Sequence, residues 1–291
     1  MKPAPFRYVA ARSLEQALAL KAEYGDEARF LAGGQSLVPA MNFRLTQPAV
    51  LIDINPLNAL AGIRNGGDEM RIGALTRYRS LEREPMTQVK LPLIAEALPV
   101  IAHPQIRNRG TIGGNLAHAD PASEMPAIVL TLGGRLHAQS AKGERWIEAR
   151  DFFVGALTTA LEPDEMLTEV ELPVAPDDSG ACFLEMSRRR GDFAIIGVAC
   201  VVRCDAQGQC LEARIGLCNA GDGPVFAEEA SSSLAGKTIN ERAVAEAAAL
   251  VQGAIDPAGS IHGSKDYQRH LAGVLTARAL TTANERARRG G

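Results

Sequence analysis

Two loops that contain adjacent glycines followed by small polar residues constrain the fold of this chain more than any other feature. The first is AGGQSL at residues 32–37, and the second is TIGGN at residues 111–115. Glycine permits backbone conformations with positive φ and lets a ligand approach the main chain closely. Because successive N–H groups in such a turn can converge on one anion, each loop is a candidate phosphate site.

The segments around the first loop predict a small βαβαβ unit. Ser13-Leu14-Glu15-Gln16 has the pattern of a capping box, which predicts a helix that begins at this point and ends near Gly25. A second short helix is predicted over residues 36–44, with Pro39 in its first turn. Apolar runs predict three strands, over residues 6–10, 28–32 and 49–54. The first loop therefore joins a strand to a helix N-terminus, which adds partial positive charge.

The rest of the chain mixes strands, hairpins and helices without a sustained β-α alternation. Asn65-Gly66-Gly67 predicts a hairpin turn, and residues 175–180 read as a linker. Ser123 is a candidate cap for an apolar helix. Further helices are predicted over 91–101, 123–132, 240–251 and after Ser264, and further strands over 133–149, 166–174, 181–186, 194–204 and 210–218. This order favours the α+β class over a doubly wound parallel sheet.

Composition excludes several classes of protein. A chain of 291 residues suggests two or three domains. The net charge of −3 gives no electrostatic footprint for nucleic acid. No apolar run has the length of a membrane span, and the segment MKPAPFRYVA lacks the apolar core of a signal peptide. These features predict a cytoplasmic protein without a membrane span.

The five cysteines are predicted to be reduced and structural. Their number is odd, none forms a CxxC pair, and Cys200 and Cys204 would share one face of a strand. We therefore expect neither a disulfide framework nor a zinc or iron–sulfur site in this chain.

The two loops together suggest a ligand with two phosphates. Gly33-Gly34-Gln35-Ser36 could hold one phosphate, and Gly113-Gly114-Asn115 the second, with side-chain hydrogen bonds from Thr111 and Asn115. A dinucleotide would satisfy both loops. Neither loop has the spacing GxGxxG or GxxxxGK[ST], so the Rossmann and P-loop interpretations fail. Ordinary glycine turns remain the alternative for either loop alone.

Four separated segments resemble the FAD-binding medium subunit of the molybdenum hydroxylases, a family that includes carbon monoxide dehydrogenase flavoproteins and the flavin portion of xanthine dehydrogenases. They are AGGQSLVPAMNFRL, IRNRGTIGGNLAHADPASEMPA, SRRRGDFAIIGVA and IHGSKDYQRHLAGVL, in the family's order. The resemblance implies a two-part FAD-binding domain of the vanillyl-alcohol-oxidase (PCMH) type, with an α/β part at 1–55 and an α+β part at 56–176. A smaller α+β domain with an antiparallel sheet and helices would follow at 177–291.

The resemblance also implies which residues hold FAD. The first loop would bind the pyrophosphate through backbone N–H groups, and the second would contact diphosphate, ribitol and flavin. Glu124 matches a family carboxylate near the ribitol, whose hydroxyls can donate hydrogen bonds to it. Asp192 and Phe193 are expected beside the isoalloxazine. The implied cofactor-binding residues are Ala32, Gly33, Gly34, Gln35, Ser36, Leu37, Thr111, Gly114, Asn115, His118, Asp120 and Glu124.

No catalytic residue or metal ligand is expected in this chain, because the cofactor carries the redox chemistry. The resemblance implies that electrons from a substrate oxidised at a molybdenum centre pass through [2Fe–2S] clusters to FAD and then to an external acceptor. A large molybdopterin-binding subunit and a small [2Fe–2S] subunit would be the partners, in a heterotrimer or its dimer. Two alternatives remain open: a stand-alone FAD-dependent oxidoreductase, and a non-enzymatic nucleotide-binding module. The family is compatible with CO, purines and N-heterocycles as substrates of the complex.

Overall fold

The computed structural model of the chain describes residues 2–290, and its first unit is a three-stranded parallel sheet flanked by helices. The strands pair in the order β1-β3-β2, which confirms the predicted βαβαβ arrangement. Gln16 N–H donates to Ser13 Oγ over 3.2 Å, so the predicted cap of the first helix is also confirmed. The elements are β1 (Arg7–Ala10), α1 (Leu14–Tyr24), β2 (Ala28–Leu31), α2 (Leu37–Asn42) and β3 (Val50–Asp53).

A five-stranded antiparallel sheet forms the second unit. Along the chain, six helices lie between its second and third strands, and one short helix follows its fourth strand. The predicted hairpin at residues 65–67 joins its first two strands. The elements are β4 (Ile63–Asn65), β5 (Glu69–Gly73), α3 (Tyr78–Arg83), α4 (Pro85–Lys90), α5 (Pro92–Ala97), α6 (Pro104–Arg107), α7 (Ile112–His118), α8 (Glu124–Leu132), β6 (Arg135–Ser140), β7 (Gly143–Glu148), α9 (Ala149–Phe152), β8 (Phe153–Gly155), β9 (Thr158–Thr159) and β10 (Met166–Pro173).

The strands of this sheet pair in the order β4-β5-β10-β6-β7, while β8 and β9 form a separate small hairpin. The helix predicted over 91–101 is shorter than expected. It ends at Ala97, because Pro99 has no N–H with which to continue the helical hydrogen bonds. Helix α8 is buried along nearly its whole length, so it lies between this unit and the next.

The third unit is a four-stranded antiparallel sheet with helices on one face. Helix α12 packs against β11 and β12, and α8 of the preceding unit packs against β12 and β13. Helix α12 begins beside Ser264, whose Oγ accepts from the Tyr267 N–H. The elements are β11 (Ser179–Met186), β12 (Ile196–Cys204), β13 (Cys210–Cys218), β14 (Val225–Phe226), α10 (Glu228–Ser232), α11 (Glu241–Ala254) and α12 (Lys265–Gly290).

All five cysteines lie buried and unpaired in this third unit. Cys200 and Cys204 both belong to the hydrophobic core between the sheet and its helices, as their spacing predicted. The α+β class is therefore confirmed in both the mixed sheet topology and the helices around it. Within residues 2–290, no helix has the length and apolar character that a membrane crossing requires.

Candidate cofactor site

The two glycine loops, far apart in sequence, lie against each other. A Cβ added to Gly33 would lie 2.6 Å from the Arg109 carbonyl oxygen and 2.9 Å from the Cα of Gly110. On the other side of the contact, a Cβ at Gly114 would lie 3.7 Å from the Cβ of Ala32. The loops therefore form one continuous surface, and a side chain at position 33 would push them apart.

The first loop leaves a run of backbone donors free. It spans the five residues between the end of β2 and the beginning of α2, and Gly34 has φ 72°. Among the hydrogen bonds of residues 2–290, none uses the N–H groups of residues 33–37 as donors. Gln35 and Ser36 are exposed. Because backbone donors are normally paired, five successive free N–H groups at a strand-to-helix turn form a favourable site for an anion.

The second loop uses its N–H groups within the protein. Ile112 N–H donates to Thr76 O, Gly113 N–H to Ala74 O over 2.9 Å, and Gly114 N–H to Thr111 Oγ1 over 3.1 Å. The prediction of a second main-chain phosphate cradle at Gly113-Gly114-Asn115 is therefore wrong. This loop can contribute side chains and the exposed surface of Gly114 to a ligand, but not a set of free donors.

A closed pair of polar side chains fixes the end of the second loop. The Asn115 amide donates to Ser123 Oγ over 2.7 Å, and the Ser123 hydroxyl donates to Asn115 Oδ1 over 2.9 Å. Ser123 occupies the N-cap position of α8, but its side chain makes no capping bond there. The expected cap is thus replaced by a cross-link between α7 and α8, since the hydroxyl is committed to Asn115.

A tight turn brings Asp120 next to the beginning of α8. Ala119 ends α7 in the left-handed conformation, with φ 51°. Asp120 Oδ1 then accepts from the Ala122 N–H over 2.9 Å. His118, the last residue of α7, is half-buried beside this turn. The side chains at positions 115, 118, 120 and 124 therefore belong to one connected segment.

Glu124, the first residue of α8, is a buried carboxyl with only 4% of its surface exposed. Burial, with a smaller contribution from the negative charge of Asp120, raises the pKa of Glu124 to about 7. Desolvation disfavours the charged form of a carboxyl, and no cation offsets that cost here. Glu124 therefore carries a proton in a substantial fraction of molecules at neutral pH.

Two residues that sequence reasoning missed connect the loops. The Asn55 amide donates to Ala32 O over 2.9 Å. The Arg77 guanidinium donates both to Asn55 Oδ1 and to the carbonyl oxygen of Arg109. Burial and the nearby charge of Arg109 lower the pKa of Arg77. The two guanidinium groups bring positive charge toward the first loop, and the carboxylate of Asp53 offsets part of it.

The segment with three consecutive arginines lies on the third unit, away from the glycine loops in sequence. Asp192 forms ion pairs with Arg188 at 3.1 Å and with Arg189 at 3.4 Å. Phe193 is 67% exposed. Asp192 is therefore held by arginines of its own turn, while Phe193 presents a free aromatic face.

The comparisons with known proteins agree with this geometry. Residues 4–175 match the family model described as the FAD-binding domain in molybdopterin dehydrogenase. Residues 181–283 match the C-terminal domain of the CO dehydrogenase flavoprotein. The chain belongs to the FAD-binding medium subunits of the molybdenum hydroxylases. It is therefore a flavoprotein subunit of an oxidoreductase, and FAD is its cofactor.

Relatives cover nearly the whole chain. It is 45% identical to the 6-hydroxypseudooxynicotine dehydrogenase complex subunit alpha of Paenarthrobacter nicotinovorans, over 99% of this chain and 97% of that protein. It is 39% identical to the carbon monoxide dehydrogenase medium chain of Afipia carboxidovorans, over 99% and 100%. A solved Cu,Mo-CO dehydrogenase chain superposes with a TM-score of 0.96 at 39% identity, covering 98% of this chain and 100% of that one. Quinoline 2-oxidoreductase from Pseudomonas putida 86 superposes with a TM-score of 0.94 at 36% identity, covering 99% and 100%.

The residues present fit a flavin dinucleotide. The free N–H groups of residues 33–37 and the adjacent guanidinium groups suit a diphosphate. The buried carboxyl of Glu124, at the other end of the second loop, suits a hydroxyl-bearing part of the ligand.

Proposed function

We propose that the chain relays electrons from [2Fe–2S] clusters of a partner subunit through its bound FAD to an external acceptor. Bound FAD supplies the redox chemistry, and the protein binds it, orients it and tunes its surroundings. The chain needs no catalytic base, nucleophile or metal ligand of its own for this role. The observation that carries the proposal is the run of five free N–H groups at residues 33–37. This first loop lies directly against the second loop.

The two loops are proposed to make different kinds of contact with FAD. Backbone N–H groups of the first loop bind the diphosphate, with Arg77 and Arg109 adding positive charge. Side chains of the second loop and the beginning of α8 bind the remaining polar parts. The proposed cofactor-binding residues are Ala32, Gly33, Gly34, Gln35, Ser36, Leu37, Thr111, Gly114, Asn115, His118, Asp120 and Glu124.

The state of the cysteines supports the assignment of the iron–sulfur clusters to a partner. Burial raises the pKa of Cys182 and of Cys210 to about 11, and also raises the pKa of Cys200 and of Cys218 well above the ordinary value of a thiol. A cluster ligand must be a thiolate, and these thiols pack as small apolar groups in the core. Their reduced state also supports a cytoplasmic location.

The relatives support the view that this chain does not select the substrate. Proteins that match it over nearly its full length are named for carbon monoxide, caffeine and nicotine chemistry. A chain so similar among these proteins does not account for the recognition of such different substrates, whereas a shared electron-transfer step needs only FAD. We propose a large molybdopterin-binding subunit and a small [2Fe–2S] subunit as partners, in a heterotrimer or its dimer.

We also propose a three-part domain organisation, with boundaries near residues 55 and 176. Each part contains one of the three main sheets, whose strands span residues 7–53, 63–173 and 179–226. The FAD-binding parts would be 1–55 and 56–176, and the C-terminal domain 177–291.

The test uses the purified full chain, alone and coexpressed with its two candidate partners. We expect the chain alone to release one FAD on denaturation, with no FMN, and to oxidise none of the candidate substrates. With both partners present, reduction of the flavin by substrate should require the [2Fe–2S] subunit. A colourless chain, or one that releases FMN, would contradict the dinucleotide assignment. Substrate oxidation by the chain alone would instead support the stand-alone oxidoreductase.

A further inference from the structure

Two side-chain amides hold carbonyl oxygens of the first loop. The amide of Asn55 donates to Ala32 O over 2.9 Å. The amide of Gln35 donates to Gly33 O over 3.1 Å. The next carbonyl, that of Gly34, accepts a backbone hydrogen bond from the beginning of α2. Three successive carbonyl oxygens of the first loop therefore have donors, while the N–H groups of residues 33–37 remain free.

The neighbours of Asn55 fix the orientation of its amide. The amide nitrogen lies 2.5 Å from Asp53 Oδ1, and the backbone N–H of Asn55 donates to the same oxygen over 3.0 Å. Burial opposes ionisation of Asp53, but hydrogen bonds from Tyr8 and Asn55 hold its pKa below the ordinary value. The amide oxygen accepts from Arg77, which can only donate. A flipped amide would face a carboxylate and a carbonyl with its oxygen, so only one orientation satisfies all its partners.

Arg77 extends this network to the second loop. Its main chain forms an antiparallel bridge with Thr111, and its guanidinium also donates to the carbonyl oxygen of Arg109. That oxygen is the atom that a Cβ added to Gly33 would approach to 2.6 Å. Asn55 is therefore held between the two loops, and its side chain cannot move without disturbing the contact between them.

Peptide geometry converts the two carbonyl contacts into directions for the free donors. A trans peptide is planar, so its C=O and its N–H point to opposite sides, and residues 2–290 contain no cis peptide bond. Because Ala32 O points to Asn55, the N–H of Gly33 points away from Asn55. Because Gly33 O points to the Gln35 amide, the N–H of Gly34 points away from that amide. The two side chains thus set the directions of the first two free N–H groups.

We propose that Asn55 and Gln35 are positioning residues for FAD, whose amides aim the N–H groups of Gly33 and Gly34 at the diphosphate. The inference rests on the proposed function, in which the first loop binds that diphosphate. It assigns the Gln35 side chain to its own loop and makes Asn55 act without touching the ligand. Donors that are held in place before the ligand arrives need no ordering when it binds, which raises affinity.

The first measurement compares the dissociation constants of FAD and ADP for the full chain prepared without flavin. Asn55→Ala should weaken both ligands by the same factor, about tenfold or more, because both carry the diphosphate and one hydrogen bond to it is misdirected. Gln35→Ala should weaken both by about fivefold, since water replaces an exposed amide more easily. A loss for FAD without a loss for ADP would place the effect at the flavin half and overturn the assignment.

Amide proton signals give a signature that general loosening of the site does not produce. In the native chain with glycines labelled by nitrogen-15, ADP should move the N–H signals of Gly33 and Gly34 downfield as they bond to phosphate. Asn55→Ala should reduce the shift of Gly33 more than that of Gly34, and Gln35→Ala should do the reverse. Native shifts in both variants, or equal reductions at both glycines in each variant, would overturn the proposal.

Two matched controls remove an amide that braces the backbone elsewhere. Asn65 Oδ1 accepts from the Gly67 N–H over 3.2 Å in the turn between β4 and β5. The Gln47 amide donates to Arg44 O over 3.5 Å, after the end of α2. Asn65→Ala and Gln47→Ala should keep the native affinities for FAD and ADP. Losses as large as those of Asn55→Ala and Gln35→Ala would reduce the result to a general loss of stability and contradict the positioning role.

Failure of this inference and failure of the proposed function give different results. If the native chain binds FAD and ADP, and both variants keep the native affinities and amide shifts, then the two amides do not position the loop and the flavin role stands. If the native chain binds FAD but ADP leaves both glycine signals unmoved, the first loop does not bind the diphosphate, and the positioning role fails with that contact. If the native chain binds neither ligand, the proposed function itself fails.

Discussion

The two glycine loops look alike in sequence, yet the structure uses their backbone N–H groups for opposite purposes. In the first loop, Gly33 lies so close to Arg109 and Gly110 that no side chain fits, while the N–H groups of 33–37 remain free. In the second loop, a Cβ at Gly113 would collide with Ala74, and the N–H groups are consumed by neighbouring carbonyl and hydroxyl oxygens. Both loops therefore need a glycine for close packing, but only the first leaves its N–H groups available to a ligand.

The largest expected effect comes from closing the first loop. Gly33→Val should abolish stoichiometric FAD binding, because its side chain would displace the second loop and cover the free donors. The flavin content of the purified protein, measured by its visible absorption, checks this result. Gly223→Val is the matched control, since a Cβ at Gly223 meets open space. Retention of one FAD per chain in Gly33→Val would contradict the role of the first loop.

The second expected effect concerns Glu124, the buried carboxyl at the beginning of α8. Its folded pKa of about 7 lies above the ordinary value of 4.5, so the associated stability is complete below pH 4.5 and is lost as the pH rises through 7. Glu124→Gln removes this loss, which amounts to about 3 kcal/mol for a fully expressed shift. Denaturant unfolding of the flavin-free chain at pH 5 and pH 8 should therefore show a smaller decline in the variant. Parallel declines would mean that the Glu124 carboxyl is solvated in the folded chain.

Gly113→Ala separates packing from binding. The added methyl group would meet the backbone of Ala74, 2.7 Å from its carbonyl oxygen, so neither segment can yield cheaply. Such overpacking costs about 1–3 kcal/mol of unfolding free energy. FAD affinity, measured well below the midpoint of unfolding, should change far less than in Gly33→Val. If Gly113→Ala instead lost FAD without a change in stability, the contrast between the loops would be reversed.

The sequence predictions that the structure confirms concern features determined by residues close together in the chain. They are the cap at Ser13, the hairpin at residues 65–67 and the strands around the first loop. Each depends on neighbours within a few residues, so the sequence pattern predicts it. The failures involve distant partners. Nothing near Gly113 in the sequence indicates that Ala74 lies against it in the fold. Asn55 and Arg77 likewise gain their role only when three segments meet.

The smallest effect is expected at Asn115, whose amide the structure commits to Ser123. Asn115→Ala removes one neutral hydrogen-bonded pair and frees a buried hydroxyl, so FAD binding should weaken by about 1 kcal/mol. Ser123→Ala should reproduce most of that loss if Asn115 acts by fixing the segment that precedes Glu124. The double variant then decides between the two roles, because effects that pass through one shared bond do not add. If the losses of FAD binding free energy in the two single variants add in the double variant, the Asn115 amide contacts the cofactor directly. The second loop would then contribute a ligand contact in addition to its packing role.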